Sequence, residues 1–209
     1  MSPRPRKVSD DEVMAAAYHA MQRYSPAELT LAHVAAEAGV TAGALVQRFG
    51  SKRALLLTLA ERHATSSVGF IDALRDAHPS PLGALAAYAD CLAGMAGSPA
   101  ALARSLAYLQ IDLADPDFRR HLVAQAKATR AGLQRLIAAA IDAGELRRSA
   151  RPAAVTRLVE TVLTGSLLTW AMYHEGPASK WMRANLDAVL APYRTGSRRP
   201  KQRRRTRNA

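Results

Sequence analysis

The side chains able to do chemistry are spaced against catalysis. His19, His33, His63, His78, His121 and His174 never stand three or four residues apart, so no two of them line one helical face as neighbouring metal ligands. No Glu-x-x-His or His-x-x-x-His pair occurs, which removes the helical di-iron and zinc arrangements. The single cysteine, Cys91, lies in an alanine-rich stretch with no histidine nearby, the setting of a packed thiol rather than a nucleophile. Phosphate-binding Walker loops, G-x-G-x-x-G turns and G-x-S-x-G elbows are all missing. The expectation is a protein with no catalytic residue, no metal and no cofactor.

Whatever these residues do, helices must position them. Alanine occurs 44 times and leucine 25 times among 209 residues, against 11 valines, 4 isoleucines and few aromatics. So many helix formers and so few β-branched residues predict an all-α fold. No apolar run is long enough for a membrane span. The basic N-terminus leads into Asp10, Asp11 and Glu12 rather than an apolar stretch, unlike a secretory signal. A lone cysteine cannot form an intramolecular disulfide, which fits a reducing cytoplasm.

The net charge of +12 is concentrated at the ends. Arg4, Arg6 and Lys7 make 1–7 a flexible basic arm, and the acid-free stretch 194–209 reads as a disordered basic tail. Between them the chain is close to neutral. Cationic ends attract polyanions by counterion release without reading sequence.

Caps divide the chain. Ser9 and Glu12 have capping-box spacing and open a helix that stops near Ser25-Pro26. Short helices follow over Leu31 to Ala38, capped by Thr30, and over about Thr41 to Phe49. Ser51 caps a long one reaching about Asp76. Prolines 81, 99, 116, 152 and 177 then mark helix starts, giving segments 82–96, 100–113, 117–143, 153–175 and 178–193. Nine helices result.

The stretch from Thr30 to Phe49 has a particular pattern. Val34, Ala35 and Ala38 line one face of the first short helix, Gly39 sits at a sharp turn, and Val40, Leu45 and Phe49 return the second helix to the core. Two short helices joined at a glycine and packed on a preceding amphipathic helix describe a helix-turn-helix unit. The run from Leu29 to Leu56, LTLAHVAAEAGVTAGALVQRFGSKRALL, resembles the TetR family of bacterial transcriptional regulators. The resemblance is strong over about 8–67, the DNA-binding domain with its motif at about 30–49. Over 68–193, a helical effector-binding and dimerisation domain, it extends only to helix number and length.

The resemblance implies a homodimer that binds a palindromic double-stranded operator, most often as a repressor, and is released when a small molecule re-spaces the two reading heads. It places the second motif helix in the major groove, N-terminal end toward the bases. Thr41, Ala42, Gly43 and Ala44 occupy that end, with Gln47 and Arg48 a turn later. Gln47 can pair bidentately with adenine, and Arg48 with guanine or with a phosphate. Thr30 and Lys52 match family positions that clasp phosphates. Where most relatives carry a tyrosine before the residue aligned with Gln47, this chain has Val46, able to touch a thymine methyl but not to bind phosphate.

Segments 153–175 and 178–193 are expected to form the dimer interface, with Thr164, Gly165 and Ser166 permitting close approach. Tyr88, Cys91, Met95, Tyr108, Gln110, Trp170 and His174 combine apolar area with polar handles and are candidates to line an effector cavity. The scarcity of charge in 82–96 and 100–111 favours a small, largely apolar ligand. An alternative is an architectural DNA binder of low sequence preference, driven by the basic tail and needing no effector.

Overall fold

The computed structural model describes residues 8–196. The arm 1–7 and most of the basic tail fall outside the described residues.

Among the described residues nine α-helices follow one another: α1 (Asp10–Arg23), α2 (Leu31–Ala38), α3 (Ala42–Phe49), α4 (Lys52–Asp76), α5 (Pro81–Ala96), α6 (Pro99–Ala114), α7 (Pro116–Asp142), α8 (Pro152–Tyr173) and α9 (Ala178–Leu190), closed by a 3-10 turn at Ala191–Tyr193. No named strand occurs among the described residues. The starts are fixed by local chemistry. Ser9 accepts from the Glu12 amide and the Glu12 carboxylate accepts from the Ser9 amide, the reciprocal capping box. Thr30, Thr41, Ser51, Ser80, Ser98 and Asp115 each accept from an amide two or three residues on. Proline fills the first turn of α5, α6, α7 and α8, where its missing N–H costs nothing.

Two large apolar cores and a small third cluster form among the described residues. The N-terminal one gathers Val13, Ala17 and Ala20 of α1, Val34 and Ala35 of α2, Leu45 of α3 and Leu55 of α4. The larger one packs Ile71 of α4 against α5, α7, α8 and α9, with Leu85, Leu133, Ile137, Leu163, Met182 and Leu190 at its centre. The two share an element, because α4 begins in the first and ends in the second. Its crossing with α7 is tight: a Cβ added to Gly132 would lie 2.8 Å from the Ile71 Cβ.

Further ties fasten the small N-terminal head to the body. The buried Tyr108 of α6 joins the first core, and its hydroxyl donates to the Tyr24 carbonyl at 2.9 Å. Arg104 donates to the Gln22 carbonyl at 2.7 Å. Arg53, at the start of α4, pairs with Asp115 and Asp117 at the start of α7, each at 2.8 Å.

Two boundaries differ from the sequence reading. The segment expected to run to residue 175 ends at Tyr173, because His174 adopts a left-handed φ of 50° and its amide closes the helix on the Trp170 carbonyl. The stretch expected to be a disordered tail from Arg194 is engaged with the body at its first two residues. Arg194 pairs as an isolated bridge with Leu146, and the Thr195 hydroxyl donates to the Gly144 carbonyl at 2.6 Å.

Candidate nucleic-acid interface

The turn between α2 and α3 follows from Gly39. Its φ of 68° is a left-handed conformation that a side chain would oppose, and the Val40 amide then reaches the Ala35 carbonyl at 3.0 Å. Ala35 is 3% exposed. Leu45, the buried residue of α3, pins that helix to the core from one side.

The opposite side faces outward. Thr41, Gly43, Ala44, Val46 and Gln47 are all exposed, Val46 by 49%. Thr41 spends an oxygen lone pair capping α3, accepting from the Ala44 amide at 3.1 Å, while its hydroxyl proton stays available to a partner. A Cβ at Gly43 would meet nothing closer than 3.9 Å, so the backbone there is open to close approach. Ala42 differs from its neighbours, lying half-buried against the N-terminal core.

The charged residues expected at this surface are engaged within the protein. Arg48 Nη1 donates to the Val8 carbonyl at 2.8 Å, its other nitrogen pairs with Asp10, and the guanidinium lies 5.6 Å from the centre of the Phe49 ring. Asp10 lies within 3.8 Å of Arg62 in turn, which also pairs with Asp11. Lys52 Nζ donates to the Pro26 and Leu29 carbonyls at 3.0 and 2.8 Å, bracing the loop before α2. Thr30 caps α2 by accepting from the His33 amide at 3.2 Å. These partnerships span 23 to 40 residues for Lys52 and Arg48, and no local pattern announces them. A further long-range contact escaped the sequence: Tyr24 and His33 stack with ring centres 3.9 Å apart.

The residues expected to line an effector cavity are dispersed. A cleft of about 640 Å³ opens between α5, α7 and α8 and takes Tyr88, Leu92, Leu133 and Leu163, with Arg130, Arg157 and Glu160 around it. Burial, with Glu160 nearby, pushes the Tyr88 hydroxyl up to about 12. Arg130 and Glu160 pair at 2.8 Å, so the cleft carries more charge than the flanking sequence led us to expect. Met95 and Tyr108 instead line an adjoining space of about 330 Å³ beneath the head. Cys91, Gln110, Trp170 and His174 line neither. Trp170 is buried beside Ala96 and Leu102 with its indole N–H on the Gly176 carbonyl, Gln110 is exposed, and His174 is an exposed helix end. Sharing a helix with pocket residues does not give a side chain the same direction.

Residues 13–59 match the family model described as bacterial regulatory proteins, tetR family. No curated protein sequence matches significantly. Among solved structures, SmeT, the repressor of the Stenotrophomonas maltophilia multidrug efflux pump SmeDEF, is 22% identical with a TM-score of 0.64, over 93% of this chain and 95% of its own. The TetR transcriptional regulator SCO0520 from Streptomyces coelicolor is 23% identical with a TM-score of 0.65, over 90% of this chain and 99% of its own. Reduced NemR from Escherichia coli reaches a TM-score of 0.71 at 16% identity, over 89% and 98%. The fold is like theirs almost end to end, and the helix-turn-helix with its supporting helices, residues 13–59, matches the model of the TetR family of bacterial regulatory proteins.

Proposed function

We propose that this protein is a homodimeric, sequence-specific DNA-binding transcriptional regulator, a repressor released by a small molecule. The observation that carries the reading is the exposed face of α3. Thr41, Gly43, Ala44, Val46 and Gln47 project from a helix held rigidly by Leu45, in a domain that matches a family of regulatory proteins. On this face Gln47 reads an adenine, Val46 packs on a thymine methyl, and the small residues let the backbone approach, leaving DNA shape to supply further discrimination. Thr30 and Lys52 contribute as helix N-termini near phosphates, Lys52 through the proton its two carbonyl partners leave free. Arg48 positions the start of α1 rather than a base.

The dimer forms through α8 and α9. Leu158, Thr161, Gly165, Leu168 and Met172 recur at helical spacing along the outer face of α8, and Met172 is 78% exposed. The opposite face, with Val155, Val159, Leu163 and Trp170, is already buried in the protomer. Gly165 has open space where a side chain would be, suited to close helix approach, whereas Ser166 points inward and takes no part. The cleft beside Tyr88 is the effector site. SmeT, of like fold, has been solved with triclosan, a precedent for small-molecule occupancy of such a body.

The test is selection of genomic DNA fragments by the purified protein at ~150 mM salt, where non-specific electrostatic binding is partly suppressed. A shared palindrome with half-sites spaced for a dimer is expected. Enrichment without a common motif would overturn the reading and favour an architectural role.

A further inference from the structure

A second, partly open space lies where the head meets the body. Two lobes, of about 120 and 330 Å³, share Tyr18 and Met21 from α1, His63 from α4, Tyr108 and Asp112 from α6, and Gln125 from α7. Apolar and aromatic groups supply most of the wall, and the Tyr18 and His63 rings lie 5.8 Å apart at its edge.

Asp112 stands out in that wall. The neighbouring acids Asp115 and Asp117 are both held by Arg53, yet no hydrogen bond or ion pair engages the Asp112 carboxylate among the described residues. Burial holds its carboxyl above the ordinary range, with His63 pulling the other way. A half-buried anion without a cationic partner is costly to keep in an apolar wall, and a ligand bearing positive charge relieves that cost. Aromatic faces beside a carboxylate suit the same chemistry, since ring quadrupoles attract cations. A neutral apolar ligand gains nothing from Asp112.

We propose that the space between α1, α4, α6 and α7 binds a lipophilic cation, an amine or quaternary ammonium on an aromatic body, with Asp112 as its counter-ion. The site adjoins the cleft beside Tyr88, with Leu92, Leu122 and Gln125 lining both, and differs from it in the acid it presents. Because its walls come from both head and body, an occupant holds the two in one relative position.

The experiment uses the full chain without DNA, so its outcome is separable from that of the regulator reading. Affinities for benzyltrimethylammonium and for neopentylbenzene, its neutral isostere, are measured by ligand-observed NMR. The cation is expected to bind on the order of tenfold tighter. Asp112→Asn should remove that advantage while leaving neopentylbenzene binding unchanged, which also shows that the cavity is still formed. Glu160→Gln, in the other cleft, should alter neither. Equal affinity for the two compounds, or a cation preference lost with Glu160→Gln and kept with Asp112→Asn, would overturn the proposal.

Discussion

Arg48, in the last turn of α3, donates to the backbone carbonyl of Val8, the residue just before the capping box of α1, at 2.8 Å. The helix proposed to read DNA is therefore tied directly to the point where residues 1–7 join the fold. An arginine free to seek guanine would not be committed twice over, to Val8 and to Asp10.

Arg48 and Gln47 should consequently separate in binding assays. Arg48→Ala is expected to weaken all operator variants alike, leaving their ranking intact. Gln47→Ala should flatten the preference at one base pair by ~1–3 kcal/mol. Competition binding with single-base operator variants distinguishes them, and a changed ranking for Arg48→Ala would return that residue to the bases.

Tyr108→Phe removes the donor to the Tyr24 carbonyl while preserving the ring. A loss of about 1 kcal/mol is expected by chemical denaturation. Amide hydrogen exchange should accelerate around Tyr24 and the start of α2 more than in α8. Uniform acceleration would show that the bond does not fasten the head specifically.

Acid should act on two carboxylates in opposite senses. Asp90 is held below the ordinary range by its hydrogen bonds from Arg183, the one from Nε at 2.7 Å. Its folded-state pKa lies under the unfolded one, so the stability it lends is present at neutral pH and fades as pH falls through the acid range. Arg183→Ala should shrink that acid-linked loss. Asp112 is raised, so its charged form opposes folding above its folded pKa. Asp112→Asn should stabilise the protein at neutral pH, with the gain vanishing once pH drops below the unfolded carboxylate range. Denaturation midpoints across pH 3–7 would show both trends, and a gain for Asp112→Asn that persists in acid would contradict the second.

Met172→Arg places a charge on the outer face of α8, where the native side chain is 78% exposed in the protomer. Sedimentation should report a shift from dimer to monomer with helicity unchanged. An unaltered dimer would move the interface elsewhere.

Gly132→Ala should cost ~1–3 kcal/mol, since the new methyl would sit 2.8 Å from the Ile71 Cβ with a helix backbone behind each. Thermal unfolding measures it.

The features legible in the sequence are those set by neighbours in the chain. Ser9 with Glu12, Thr30, Thr41 and the prolines opening α5 to α8 mark helix starts through bonds closed within one turn, and Gly39 marks the motif turn in the same way. Partners 23 or 40 residues distant are invisible to such patterns, so the sequence alone does not show that Lys52 and Arg48 also bond within the protein. The dispersal of Trp170, His174 and Gln110 has a related cause. Whether a side chain on an apolar helix meets a cavity, the core or solvent depends on the rotational setting of that helix, and an alanine-rich sequence with apolar residues on several faces fixes that setting weakly.

The crossing of α4 and α7 also has a mechanical meaning. Where Ile71 meets Gly132 the two helices are in close contact, and a tilt of α4 about that point is the displacement we propose for it. From Ile71 to Lys52 the helix measures about 28 Å at ~1.5 Å per residue. A tilt of about 10° at this fulcrum therefore carries the Lys52 end, and the head attached to it, through about 5 Å, well over the ~3.4 Å rise of one base pair. A long lever on a snug pivot turns a small rearrangement in the body into a displacement large enough to spoil the register of a reading helix against its groove.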